Sequence, residues 1–112
     1  VKRDWGYSKD FVSVYWKMLQ QKIPGDFIIG TGHSHSVKDV CEMAFSAIGE
    51  NWQDYIEYDS QISRRLDPID LVADITKAKS ILGWEPTVTL NEIIEEMIDY
   101  NIRKLSLRKY KN

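Results

Sequence analysis

RDWGYSKDFVSVYWKML, residues 3–19, places a charged and aromatic cluster directly before a helical pattern. Ser8 is predicted to cap this first helix, because a serine hydroxyl can accept a hydrogen bond from a free amide at a helix N-terminus. Pro24 and Gly25 are predicted to end it. The apolar stripe that we expect to be buried comprises Phe11, Val14, Tyr15, Met18 and Leu19.

The pattern of a strand, a turn and a helix comes next. Residues 27–29 (FII) form a short β-rich run that Gly30 and Gly32 stop, and Ser36 with Asp39 is predicted to start a second helix. The side chains of that helix predicted to point inward are Val37, Val40, Cys41, Ala44 and Ile48.

The second half of the chain continues the alternation of strands and helices. Residues 55–58 (YIEY) alternate like a strand, and residues 70–74 (DLVAD) predict another short extended run. A brief helix is predicted over 76–82, closed by Gly83. Thr89 and Glu92 have capping-box spacing before a long amphipathic helix. Its apolar face comprises Leu90, Ile93, Ile94, Met97, Ile98, Ile102 and Leu105.

These elements predict a single small α/β domain over residues 1–112, with no repeat and no long linker. Fifteen basic and seventeen acidic residues give a formal net charge of −2, so no global positive charge favours nucleic acid or an anionic membrane as a partner. The single cysteine excludes an internal disulfide, which fits a reducing compartment, and we expect a cytoplasmic protein. The charged and aromatic cluster so near residue 1 indicates a fragment of a longer chain.

Several motifs have simpler interpretations than a catalytic or metal site. Residues 30–35 (GTGHSH) imitate a dinucleotide-binding loop, but His35 stands where the third glycine is needed, so we predict a plain turn. His33 and His35 lack further ligands for a metal, and Cys41 is predicted to be a core residue rather than a nucleophile. The basic tail, Arg103, Lys104, Arg108, Lys109 and Lys111, is expected from the helix dipole.

Two arginine clusters remain as candidates for binding a phosphate. Arg3 stands just ahead of a helix N-terminus, where guanidinium and free amide groups can meet an anion. Arg64 lies in a polar segment with Asp67 three residues on, so a guanidinium could clamp a diphosphate while the carboxylate accepts hydrogen bonds from ribose hydroxyls. Ordinary surface pairing with local carboxylates, Asp4 for Arg3 and Asp67 for Arg64, is the alternative.

Three motifs of this sequence resemble those of the GDP-mannose 4,6-dehydratases, members of the extended short-chain dehydrogenase/reductase superfamily. Residues 3–12 (RDWGYSKDFV) and 16–20 (WKMLQ) resemble that family's R-D-W-G-x-x-x-[DE]-[YF]-V…W-x-M-L-Q segment. Residues 26–37 (DFIIGTGHSHSV) are similar to its D-[FY]-V-[IL]-[AG]-T-G-x-x-H-S-V motif, and residues 74–86 (DITKAKSILGWEP) to its D-x-[ST]-K-A-K…L-G-W-x-P ending. The motifs occur in family order over nearly the whole chain.

This resemblance implies an α/β carboxy-terminal substrate-binding lobe of helices and short strands, without the Rossmann cofactor domain. It implies that Arg3 and Arg64 approach the diphosphate of a nucleotide sugar, GDP-mannose in this family, and that Asp67 replaces the family's ribose-binding glutamate. The family usually has R-P-x-E where residues 64–67 read RRLD. Asp10 is expected to be structural.

The resemblance also implies what the 112 residues lack. The family's G-x-x-G-x-x-G loop for NADP, its catalytic Thr or Ser and its Y-x-x-x-K pair belong to an amino-terminal Rossmann lobe. We therefore expect no catalytic, cofactor-binding or metal-binding residue in this chain, apolar surface exposed where that lobe packs, and a homo-oligomeric parent lyase. The alternatives are a lobe of a related epimerase or ketosugar reductase, and a free-standing binding module without catalysis.

Overall fold

The computed structural model describes residues 1–62 and 70–109, and these form the α/β arrangement expected from the sequence. The helices in this part of the chain are α1 (Ser8–Leu19), α2 (Val37–Ala47), α3 (Thr76–Leu82) and α4 (Leu90–Lys109), with a 3-10 turn at Trp52–Asp54. The strands are β1 (Lys2–Arg3), β2 (His35–Ser36) and β3 (Asp70–Leu71).

The three strands make one small mixed sheet with β1 in the middle. β2 runs antiparallel to β1, with Arg3 opposite His35, and β3 runs parallel to β1, with Arg3 opposite Leu71. Each strand has two residues, so the ladder supplies few hydrogen bonds. The sheet therefore fixes the position of residues 2–3 relative to two distant segments, and most of the stability must come from packing.

The core lies where α1 packs against α3. Val14 of α1 and Ala78 of α3 are fully buried. The stripe predicted for α1 is confirmed at Val14 and, as partly buried residues, at Phe11 and Met18, but it is wrong at Tyr15 and Leu19, which are exposed. The cluster also contains Ile75, Leu82 and Trp84, with Phe11, Met18, Phe27, Ile29 and Ala73 partly buried around it. Gly83 ends α3 with a φ of 60°, a left-handed cap that glycine adopts without a steric penalty, as predicted from the sequence.

Asp10 joins the start of α1 to the loop that leads into α4. Its buried carboxylate accepts hydrogen bonds from the amide of Thr87 (3.0 Å), the hydroxyl of Thr87 (2.7 Å) and the amide of Val88 (3.2 Å). The indole Nε1 of Trp84 donates to the Asp10 carbonyl at 3.2 Å. These contacts give Asp10 the structural role expected for it.

The helix starts follow the sequence prediction at α2 and α4 but not at α1. Ser36 and Asp39 form a reciprocal capping box at α2, and the hydroxyl of Thr89 accepts a hydrogen bond from the amide of Glu92 at α4. The prediction that Ser8 caps α1 is wrong: Ser8 is the first helical residue, and Tyr7 is the N-cap without a side-chain hydrogen bond.

Two predicted strands are absent from the described part of the chain. In residues 27–29 the side chains do alternate between the core and solvent, since Phe27 and Ile29 pack on the core and Ile28 is 61% exposed. The residues nevertheless form no ladder with another strand. Residues 55–58 follow the 3-10 turn as an exposed irregular segment. Alternation reports which side chains face inward, and a strand also needs a neighbouring backbone to pair with.

The surface is large for a chain of this size. The solvent-accessible area is 9240 Å², whereas a compact protein of this mass exposes roughly 6,400 Å². Of the apolar face predicted for α4, Ile94 is buried, while Met97, Ile102 and Leu105 are each at least half exposed. The structure thus has the uncovered apolar surface expected of a lobe separated from a partner. In the described ranges no helix is both long and apolar enough to cross a bilayer.

Replacing Asp10 by Ala is expected to lower the free energy of unfolding by about 1–3 kcal/mol, because the Thr87 and Val88 amides lose their acceptor. Urea unfolding followed by Trp fluorescence measures the change. Asp99→Ala, which removes an exposed carboxylate from α4, is the control and should shift the value by less than about 0.5 kcal/mol. Equal effects of the two substitutions would show that the Asp10 contacts contribute nothing specific.

Candidate functional site

Asp4, the residue after β1, holds two distant loops against the sheet. Its carboxylate accepts hydrogen bonds from the amide of Thr31 (2.9 Å), the hydroxyl of Thr31, the amide of Gly32 (2.9 Å) and the amide of Ala73 (3.1 Å). One side chain therefore satisfies successive amides of the glycine-rich turn and an amide just ahead of α3. These hydrogen bonds hold the loops at Thr31 and Ala73 beside the end of the strand that contains Arg3.

The same contacts decide whether the turn at residues 30–35 can hold a dinucleotide. A phosphate-binding loop must direct free backbone amides at the ligand. Here the amides of Thr31 and Gly32 already donate to Asp4, and His35 lies in β2, where a fingerprint needs its third glycine. The turn therefore does not fit the cofactor, and its conformation is explained by the contact with Asp4.

Gly30 is required by the close approach of three segments. It is buried, and a Cβ placed on it would lie 2.4 Å from the Cβ of Ala73 and 2.9 Å from Oδ2 of Asp4. Any side chain at this position would separate the turn from Ala73 and Asp4. The glycine therefore serves packing rather than phosphate binding.

Hydrogen bonding governs the charge state of Asp4. Burial raises the pKa of the Asp4 carboxyl, but the hydrogen bonds donated by Thr31, Ala73 and Gly32 outweigh burial and hold that pKa below its ordinary value of 3.8. The carboxylate is ionised at neutral pH and adds a fixed negative charge one residue from Arg3.

Arg3 lies in the central strand and is partly buried. Its Nη1 donates to the carbonyl of Lys2 at 2.8 Å. The backbone of Arg3 lies between those of His35 and Leu71. The Arg3 side chain therefore extends from the central strand, which pairs with a neighbour on each side.

The other two predicted binding residues, Arg64 and Asp67, lie outside the described residues. Their attachment point is described: β3 begins at Asp70, three residues after Asp67, and Asp70 pairs with Lys2. The strand pairing therefore places Asp70 and Leu71 beside the strand that carries Arg3. Whether the three side chains share one ligand stays a prediction.

A cleft of about 410 Å³ is lined by residues of the glycine-rich turn and by residues 85–91. Trp5, Thr31 and His35 line one wall, and Lys79 and Glu85 line another, with 3.9 Å between Nζ of Lys79 and Oε2 of Glu85. The Nδ1 atom of His35 is buried without a hydrogen-bond partner.

The described residues contain no group of three or more His, Cys, Asp and Glu side chains placed to hold a metal ion. Cys41 is only partly buried, so its assignment to the core is wrong. The reason is that α2 packs against α4 and the 3-10 turn, and these cover its apolar stripe incompletely.

Sequence reasoning missed the role of Asp4 as an acceptor for distant amides. The residue was considered only as an ion-pair partner of Arg3. A signal was present, since the turn GTG at residues 30–32 presents successive amides that need an acceptor if they are not to bind a ligand. The sequence does not state which carboxylate meets them.

Gly30→Ala is expected to destabilise the chain by about 1–3 kcal/mol, because the new methyl group would collide with Ala73 and weaken the Asp4 contacts. Thermal unfolding followed by circular dichroism is the measurement. Gly25→Ala is the matched control, since a Cβ there meets only the Phe27 ring, at 3.4 Å. Equal melting temperatures of the Gly30→Ala and Gly25→Ala variants would contradict the close packing at Gly30.

The lowered pKa of Asp4 predicts acid-dependent stability. Because the folded pKa lies below the unfolded value, the stabilisation is complete above pH 3.8 and is lost as the pH falls through the folded pKa. Asp4→Asn should therefore reduce the loss of stability below pH 3.8, measured as the slope of the urea midpoint against pH. Hydrogen bonds also lower the pKa values of Asp39 and Asp74. These two residues should therefore retain part of the pH dependence of the urea midpoint in the Asp4→Asn variant. An unchanged slope would contradict the role of Asp4.

Comparison with known proteins identifies a family. A family model described as GDP-mannose 4,6 dehydratase matches residues 1–97. GDP-mannose 4,6 dehydratase 1 of Arabidopsis thaliana is 38% identical over 100 residues, which cover 89% of this chain and 28% of that protein. GDP-mannose 4,6 dehydratase of Homo sapiens is 35% identical over 118 residues, covering 90% of this chain and 32% of that protein.

A solved structure shows the same fold. The enzyme WbmG of Bordetella bronchiseptica, crystallised in complex with NAD, matches with a TM-score of 0.68 and 24% identity. The match covers 90% of this chain and 32% of that one. The chain therefore spans about three-tenths of the length of the proteins that it matches.

Proposed function

Because this chain belongs to the GDP-mannose 4,6-dehydratase family, we propose that it is the substrate-binding lobe of a longer nucleotide-sugar dehydratase. The matched relatives continue for more than two-thirds of their length outside the region shared with this chain. In this proposal, this lobe binds the nucleotide sugar. The proposal assigns the chemistry and the cofactor NADP to a Rossmann lobe elsewhere in the parent protein.

The observation that carries the proposal is the parallel pairing of β1 with β3. Lys2 pairs with Asp70 and Arg3 with Leu71, although nearly seventy residues separate the partners in sequence. Asp67 precedes Asp70 by three residues in sequence, which supports assigning Arg64 and Asp67 to the same site as Arg3. Two arginine side chains at one site would provide the N–H donors that a diphosphate requires.

The proposed roles follow from the chemistry of the side chains. Arg3 and Arg64 neutralise the two phosphates and hold them through paired N–H donors, a geometry that lysine cannot reproduce. Asp67 accepts hydrogen bonds from the ribose hydroxyls, the role of the glutamate in the family motif. The hydrogen bonds that Asp4 accepts fix the loops on either side of Arg3, so that the arginine need not be ordered when the ligand binds.

In the proposed parent reaction the hexose is oxidised at C4, water is eliminated across C5 and C6, and the hydride returns to the sugar. NADP supplies the hydride acceptor when it is bound. The amides of the one glycine-rich turn in the described part of this lobe are already used by Asp4, so the lobe contributes substrate binding and orientation. We further propose a cytoplasmic homo-oligomer with GDP-mannose as substrate.

Two alternatives differ in what they require. A lobe of an epimerase or ketosugar reductase would use the same diphosphate clamp with another sugar, and the identity to named dehydratases favours the first proposal. A free-standing module would bind nucleotide sugar without a cofactor lobe. Activity of the full parent chain on GDP-mannose distinguishes the three.

Arg64→Ala in the parent protein is expected to weaken GDP-mannose binding by about 1.5–3 kcal/mol, the usual contribution of a hydrogen bond to a charged group. Isothermal titration calorimetry measures this, and NADP affinity should be unchanged. Arg103→Ala, which removes an exposed arginine from α4, is the control for general loss of positive charge. If Arg64→Ala binds GDP-mannose as tightly as the control, the diphosphate clamp is wrong while the family assignment stands.

The purified 112-residue chain is expected neither to bind NADP nor to convert GDP-mannose. NADP binding is measured by calorimetry and turnover by product analysis. Turnover by the pure chain would overturn the assignment of the chemistry to another lobe.

A further inference from the structure

An apolar groove of about 460 Å³ separates α2 from the middle of α4. The two helices pack against each other and diverge enough to leave their facing stripes open. The residues that line the groove are Val40, Ala44, Phe45 and Ile48 from α2, and Ile94, Met97, Ile98, Asn101, Ile102 and Leu105 from α4.

The groove is apolar and open to solvent along its length. Ile48 and Ile102 are each 50% exposed, Met97 is 59% exposed and Leu105 58%. Asn101 is the one polar side chain among the lining residues, and its amide donates to the carbonyl of Met97 at 2.8 Å. Contiguous apolar surface of this kind marks a site of interaction in soluble proteins.

The walls of the groove determine the conformation of its occupant. Both walls are helices, whose backbone amides and carbonyls are largely paired within the helix, so they offer no edge to which a strand could bond. A helix satisfies its own backbone groups and can present one apolar stripe to both walls. The geometry therefore selects an amphipathic helix over an extended segment.

We propose that an amphipathic helix from the remainder of the parent protein fills the groove between α2 and α4. This inference rests on the proposed function, in which the chain is one lobe of a longer enzyme. The matched relatives have more than two-thirds of their length outside the shared region, which is ample chain to supply such a helix. The exposed area of 9240 Å² exceeds the roughly 6,400 Å² of a compact protein of this mass, and the groove is an apolar part of that surface between two helices.

Thiol labelling of the parent protein tests the proposal. In a Cys41→Ala background, a cysteine replaces Ile102 in the groove or Leu107, which is 64% exposed and does not line it. In the parent protein we expect labelling at position 102 to be slower than at 107 by about tenfold or more, because the groove must open first. In the 112-residue chain both positions should react at similar rates.

Two results would overturn the proposal. Equal labelling of positions 102 and 107 in the parent protein would show that the groove stays open. Protection of position 102 in the 112-residue chain that is lost on dilution would show that a second copy fills the groove. The labelling is done without nucleotide, so its outcome is independent of whether Arg64 binds a diphosphate.

Discussion

The hydrogen bonds accepted by Asp4 are the constraint on which the rest of this lobe depends. The sheet has three strands of two residues, too short to hold its neighbours in place by their ladders. Asp4 accepts four hydrogen bonds from two loops at the point where β1 ends. A charged acceptor makes these bonds stronger than neutral ones. A partly buried carboxylate thus holds together a sheet that its own backbone pairing would not.

Asp10 repeats this arrangement six residues later, and the two carboxylates explain the position of residues 1–19 at the centre of the lobe. Asp4 reaches the turn at residues 30–32 and Ala73, and Asp10 reaches residues 87–88. Between them α1 packs its buried stripe on α3. Every described segment that borders the proposed diphosphate site is therefore tied to the same short stretch of chain.

The lobe is packed unequally. The half built from α1, α3 and Trp84 contains the core, whereas α2 and α4 share an open apolar groove. In the described part of the chain, apolar side chains of both helices stay exposed in the groove, whereas a helix normally buries its apolar stripe against another element. We propose that the site at Arg3 serves substrate binding and that the groove between α2 and α4 serves attachment to the rest of the parent protein.

The sequence by itself determined the helices, the family and the candidate residues. Helix periodicity and capping are local, so α2, α3 and α4 were predicted with their starts or ends. Three motifs in family order indicated the family. What only the tertiary structure decided was long-range. The predictions of strands at 27–29 and 55–58 were wrong, because a strand must pair with a neighbouring backbone and the alternation of side chains does not specify that neighbour. Asp4 was read as a partner for its neighbour Arg3, and its amide donors lie 27 to 69 residues away. The parallel pairing of Lys2 and Arg3 with Asp70 and Leu71 likewise joins residues far apart in sequence. Local patterns state which residues are helical or apolar, but the meeting of distant backbone groups depends on the folded chain.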